Sequence, residues 1–114
     1  MTRNPRFARA MQAMRSRNPQ TQEDGFDFLR EHADAFVAEL IAEFETERDD
    51  HGLRCWLLEL LAETRSPDAL PLLVAQLQSD DESLRFWAIR GVEMLDTREA
   101  RQELYRARAN GWIE

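Results

Sequence analysis

One string occurs twice in this chain. Leu53-Arg54-Cys55-Trp56 returns as Leu84-Arg85-Phe86-Trp87, 31 residues later. An Asp-Asp pair stands ahead of each copy, Asp49-Asp50 and Asp80-Asp81, at the same period. A fixed repeat of this length signals stacked helical units, each unable to bury its apolar face alone. The surface of such a stack usually serves to hold another macromolecule.

The apolar pattern agrees with helices. Leu53, Trp56, Leu57, Leu60 and Leu61 recur at i, i+3, i+4, i+7 and i+8, the spacing of one helix face. Leu84, Trp87, Ala88, Gly91, Val92 and Leu95 match that stripe in the second copy. Trp56 and Trp87 therefore read as core packing. Ser66-Pro67 predicts an N-cap and a first-turn proline for a following helix striped by Leu70, Leu73, Val74 and Leu77. Pro71 falls near its first turn, where a missing N–H is tolerated. Thr97 and Glu99 take the places of Ser66 and Asp68, with an acid where the helix dipole favours one. Asn110-Gly111 predicts the C-terminal stop. The tail Trp112-Ile113-Glu114 either folds back as a cap or frays.

Upstream, Asn4-Pro5 predicts a capped helix carrying Phe7, Ala10, Met11 and Met14, ended by Asn18-Pro19. A second helix is expected over about Gln20 to Glu31, with Phe28, Leu29 and His32 on one side and Gly25 weakening it. Asp34 is expected to cap a third, running to about Arg48 on the stripe Val37, Leu40, Ile41 and Phe44. His51-Gly52 reads as a turn. No segment shows strand alternation, so seven helices are predicted: an N-terminal one and three antiparallel pairs.

Residues 49–109 resemble HEAT repeats, of the short type of about 30 residues also called the bilin-lyase (PBS lyase) HEAT-like repeat. The resemblance rests on the Asp-Asp pair with Leu-Arg-x-Trp at 49–56 and 80–87. It also rests on the turn Ser66-Pro67-Asp68-Ala69-Leu70, with a weaker copy at Thr97-Arg98-Glu99-Ala100. Residues 20–48 fit as a degenerate first repeat, since Val37, Leu40, Ile41 and Phe44 align with Leu70, Leu73, Val74 and Leu77 at a spacing of 33.

The resemblance implies an all-α fold, a short right-handed α-solenoid. Its repeats would occupy about 20–48, 49–79 and 80–110 within a domain over 19–114. A basic amphipathic helix over 1–18 would cap the open end through Phe7, Met11 and Met14, turning Arg3, Arg6, Arg9, Arg15 and Arg17 toward the acidic body. The family also implies an Asp–Arg ladder between repeats, drawn from Asp49, Asp50, Arg54, Asp80, Asp81 and Arg85. It implies a non-enzymatic scaffold that binds another protein, as a monomer or weak dimer. Partner contacts would come from the second helix of each pair: Glu39, Glu43, Leu72, Gln76, Glu103 and Arg106.

Charge narrows the partner. The net charge is −7; residues 1–18 carry five Arg and no acid, and residues 19–114 carry 10 Arg and 22 acids. Phosphates are repelled by such a body, so no nucleic-acid partner is expected. All 15 basic residues are arginine, a bias that reflects a GC-rich genome rather than a physical demand. No apolar run reaches membrane-spanning length, and the Arg-rich start lacks the apolar stretch of a signal peptide. A cytoplasmic protein without a membrane partner is expected. The single cysteine, Cys55, cannot form an internal disulfide, which agrees.

Catalytic readings find little support. His51 and Cys55 are four apart, a two-ligand spacing that nothing completes for zinc. HEAT-repeat hydroxylases of the deoxyhypusine type use repeated His-Glu dipeptides; this chain has Glu31-His32, once and reversed. HEAT-like alkylpurine DNA glycosylases use a basic face, where this chain offers a mixed to acidic one. No catalytic residue, metal or cofactor is expected. Two alternatives to the binding module stay open. The run Asp34, Glu39, Glu43, Glu45, Glu47, Asp49, Asp50 suits an acidic immunity or antitoxin-type inhibitor of a basic toxin. A small HEAT-like enzyme or lyase subunit is the other.

Overall fold

The computed structural model describes residues 4–114; Arg3 lies outside them. Seven α-helices follow in order: α1 (Pro5–Met14), α2 (Pro19–His32), α3 (Val37–Thr46), α4 (His51–Thr64), α5 (Leu70–Gln76), α6 (Glu82–Leu95) and α7 (Arg98–Ala109). Short 3-10 turns at Ala33–Ala35 and Pro67–Ala69 precede α3 and α5. No strand occurs among the described residues.

Capping sets most helix starts. Asn4 Oδ1 accepts from the Arg6 N–H at 2.9 Å, and Asn18 Oδ1 from the Gln20 N–H at 2.9 Å. Thr97 Oγ1 accepts from the Ala100 N–H at 3.1 Å. The second Asp of each pair does the same work: Asp50 accepts from Leu53 at 3.1 Å and Asp81 from Leu84 at 3.0 Å. Each such cap stabilises its helix by about 1 kcal/mol. Because Asp50 is the cap, His51 and Gly52 form the first turn of α4 rather than a loop.

Three further boundaries differ from expectation. Asp34 sits within a 3-10 turn, and α3 starts after Phe36 with no side-chain cap. The end of α3 falls at Thr46, because Glu47 turns extended (φ −82°, ψ 114°). Ser66 caps the 3-10 turn that leads into α5, accepting from Asp68 at 3.2 Å.

Helix ends carry a periodicity that the sequence does not announce. Arg65 and Asp96, 31 residues apart, end α4 and α6 in the left-handed region (φ 50° and 48°). Glycine is the usual residue there, and each side chain costs about 1 kcal/mol. At the end of α7, the Trp112 N–H donates to Ala107 O at 2.9 Å and the Gly111 N–H to Arg108 O at 3.1 Å. With Gly111 at φ +76° this is a Schellman stop. The tail folds back from it and leaves Ile113 only 8% exposed.

Packing runs along the chain. α1 lies against α2, α3 against α4, α4 against α6, α5 against α6, and α6 against α7. One core joins them, with Phe7, Leu29, Leu40, Leu57, Leu60, Leu73 and Val92 fully buried. Trp56 and Trp87 pack at its edge, half-buried, Trp56 with Phe26 at 5.0 Å between ring centroids. Gly25 has a steric purpose: a Cβ there would lie 2.7 Å from Ala10 O and 2.9 Å from Ala13 Cβ. The close crossing of α1 over α2 requires it.

Candidate functional site

α3 and α5 bury one face each, through Leu40 and Phe44 and through Leu73 and Leu77. Between their outer edges runs a groove of about 360 Å³. One wall is Ile41, Phe44 and Glu45, continued by Arg48; the other is Pro71, Leu72, Ala75 and Gln76, with Asp68 before them and Arg54 from α4. Two carboxylates and two guanidiniums border it, so its charge is balanced rather than acidic. An open apolar trough with a polar rim suits a peptide segment or helix better than a small reactant.

Arg54 is built into this site. Its Nη1 donates to Glu47 O and, at 3.3 Å, to Phe44 O, and its guanidinium sits 4.1 Å above the Phe44 ring. Arg85 Nη1 likewise donates to Ser79 O at 2.7 Å. The expected Asp–Arg ladder is thus replaced by arginine-to-carbonyl bonds. The reason is local. Asp50 and Asp81 are engaged as N-caps, and the last carbonyls before each new helix lack intrahelical donors. Asp49 and Asp80 stay exposed. Two other polar contacts do cross between repeats: Arg30 Nε meets Glu63 Oε2 at 3.2 Å, and His51 Nε2 meets Asp81 Oδ2 at 2.6 Å.

The six residues expected to meet a partner divide. Leu72 and Gln76 line the groove. Glu43 is only 7% exposed and pairs with Arg15 at 3.1 Å, so it faces α1 rather than solvent. Glu39, half-buried, stands one turn from Glu43 on that side of α3. Glu103 and Arg106 pair with each other at 3.0 Å on α7, outside the groove lining. Sequence reading missed Ile41, Glu45, Arg48, Pro71 and Ala75. The available signal was Arg15, at the end of α1: once it pairs with Glu43, the opposite side of α3 is left for the groove.

Glu47 anchors the same corner. Its carboxylate accepts N–H bonds from Asp50 at 2.9 Å and Asp49 at 3.1 Å, and Arg15 reaches it at 2.6 Å. The Asp50 N–H first, then Arg15, hold its pKa at about 2, below the ordinary 4.5. A depressed carboxylate contributes stability that is complete above pH 4.5 and is lost as pH falls toward 2. Glu47→Gln is therefore expected to lower the melting temperature near pH 6 while flattening its decline between about pH 4.5 and 2. Melts across that range check this.

Cys55, His51 and Asp81 lie together without forming a catalytic relay. His51 Nε2 carries both contacts, to Asp81 and, at 3.7 Å, to Cys55 Sγ. One nitrogen cannot both orient the ring and take the thiol proton. Burial, then the Asp81 charge, pushes the Cys55 thiol up, which keeps it protonated and inert. Among the described residues no group of three or more His, Cys, Asp or Glu is placed to hold a metal ion, and no helix is long and apolar enough to cross a membrane.

Helices capped and ended at a period of 31, stacked first helix on first helix, define a helical-repeat protein. The family model for HEAT repeats matches residues 37–112, and the chain belongs to that family. No curated protein and no solved structure matches it.

Proposed function

We propose that this chain is a non-enzymatic, cytoplasmic module that binds another protein in the groove between α3 and α5. In this reading α2–α3, α4–α5 and α6–α7 are three antiparallel pairs stacked with a right-handed turn, and α1 caps the first. The observation that carries it is the groove itself: half-buried Ile41 and Leu72 lie in it between charges of both signs, Glu45 and Asp68 with Arg48 and Arg54. Arg54 and Arg85 act as joints between repeats rather than as partner contacts. The alternative of an acidic toxin inhibitor draws less support, since Arg15 neutralises Glu43 and Glu47 within the run that would carry it.

Leu72→Arg tests the reading. Affinity capture from source-cell lysate with the wild type should retain a defined protein, and the variant should lose it at least tenfold while melting within a few degrees of wild type. Equal capture by the variant would refute the groove as the site.

A further inference from the structure

Three large apolar side chains stand in solvent, Phe86 at 56%, Tyr105 at 75% and Trp112 at 36%. Phe86 and Trp112 share one cavity of about 570 Å³, between α6 and the folded-back tail, with Ile89 and Ile113. Exposed apolar surface bordered by charge marks an interaction site. This surface lies apart from the α3–α5 groove.

The repeat tells what such a face receives. Glu82, Phe86 and Ile89 follow His51, Cys55 and Leu58 by 31 residues. On α4 that face already meets a helix: α4 and α6 pack together, His51 Nε2 contacts Asp81 Oδ2 at the start of α6 at 2.6 Å, and Leu58 is fully buried. One repeat on, the same face is open and Phe86 is more than half exposed. Its form suits another helix.

Charge selects which helix. Glu82, Phe86 and Arg90 are spaced four apart along one face of α6. Glu82 and Arg90 are both exposed, and neither is ion-paired among the described residues. An antiparallel α6 pair with its two-fold axis at Phe86 sets Glu82 of each copy opposite Arg90 of the other. A parallel pair sets Glu82 against Glu82. We infer that α6 and the tail form an isologous self-association surface, on which two copies of this chain pack α6 against α6, antiparallel, with Phe86 and Trp112 at the centre. The aromatic contact supplies the affinity, and the two rim ion pairs fix the direction.

Sedimentation equilibrium of the full chain tests this. A concentration-dependent dimer is expected. Phe86→Asp should weaken it roughly 100-fold and Phe86→Ala roughly tenfold, with unchanged circular dichroism and matching melts. Glu82→Arg should weaken it about tenfold, and adding Arg90→Glu should bring it back to within about threefold of wild type. A chain that stays monomeric at millimolar concentration overturns the inference. So does a dimer indifferent to Phe86, or one that the double reversal fails to restore. A monomer that takes up a foreign helical peptide through Phe86 overturns it as well, because the occupant is then a different protein.

Discussion

Gly25→Val is expected to destabilise the protein by about 3 kcal/mol, lowering the melting temperature by roughly 10 °C. The first atom of any side chain at this position would meet Ala10 O at 2.7 Å, Ala13 Cβ at 2.9 Å and the Met14 N at 3.0 Å. Two of these are backbone atoms of α1 and cannot swing aside. α1 must therefore lift, taking Phe7, Met11 and Met14, all nearly fully buried, out of the core. A valine gains about 0.5 kcal/mol of helix propensity over glycine, too little to offset the clash. Gly52→Ala is the control, since its Cβ would meet only Asp50 Oδ1 at 3.7 Å. That variant should melt at or slightly above wild type. A Gly25→Val protein with a wild-type melt would contradict the close helix crossing.

Arg54→Ala is expected to cost about 2–3 kcal/mol, read from urea midpoints. It strips donors from Phe44 O and Glu47 O at the end of α3 and removes the cation over the Phe44 ring. Lysine should recover little, because it lacks the planar fork and stacks poorly. Arg85→Ala should cost less, as it forfeits the bond to one carbonyl, Ser79 O. Asp50→Asn separates this account from an Asp–Arg ladder. Asparagine caps a helix about as well as aspartate, so a loss below about 0.5 kcal/mol is expected. A ladder would lose far more. A large effect at Asp50→Asn with a small one at Arg54→Ala would reverse the assignment.

How much of this was legible in the chain depends on range. The doubled Leu-Arg-x-Trp disclosed the stack because a fixed period carried on helix-spaced apolar residues marks successive helical units. Asn4 and Thr97 could be read as caps because a cap is a bond to a residue two or three places away, whereas Asn18, read only as the end of α1, also caps α2. The left-handed ends at Arg65 and Asp96 were hidden, since neither residue advertises that conformation. Their period of 31 becomes visible only in the backbone. Gly25 looked like a weakness of α2 because its reason lies on another helix, at Ala10 and Ala13.

The groove was the least legible feature. Counting along α3 alone gave Glu39 and Glu43 the outward role. Arg15, 28 residues from Glu43, buries that side instead and leaves Ile41, Glu45 and Arg48 to line the groove. On α5 the same counting named Leu72 and Gln76, and both line the groove. Long-range ion pairs thus decided which side of a short amphipathic helix is free, and a stripe of apolar residues does not encode that choice.

Site-specific photo-crosslinking tests the groove most directly. A benzophenone side chain placed at Ala75, exposed in the groove lining, should yield a discrete crosslinked product with a second protein in cells. The same group at Gln20, exposed at the start of α2, should yield none. Products from Gln20 but not from Ala75 would contradict binding between α3 and α5.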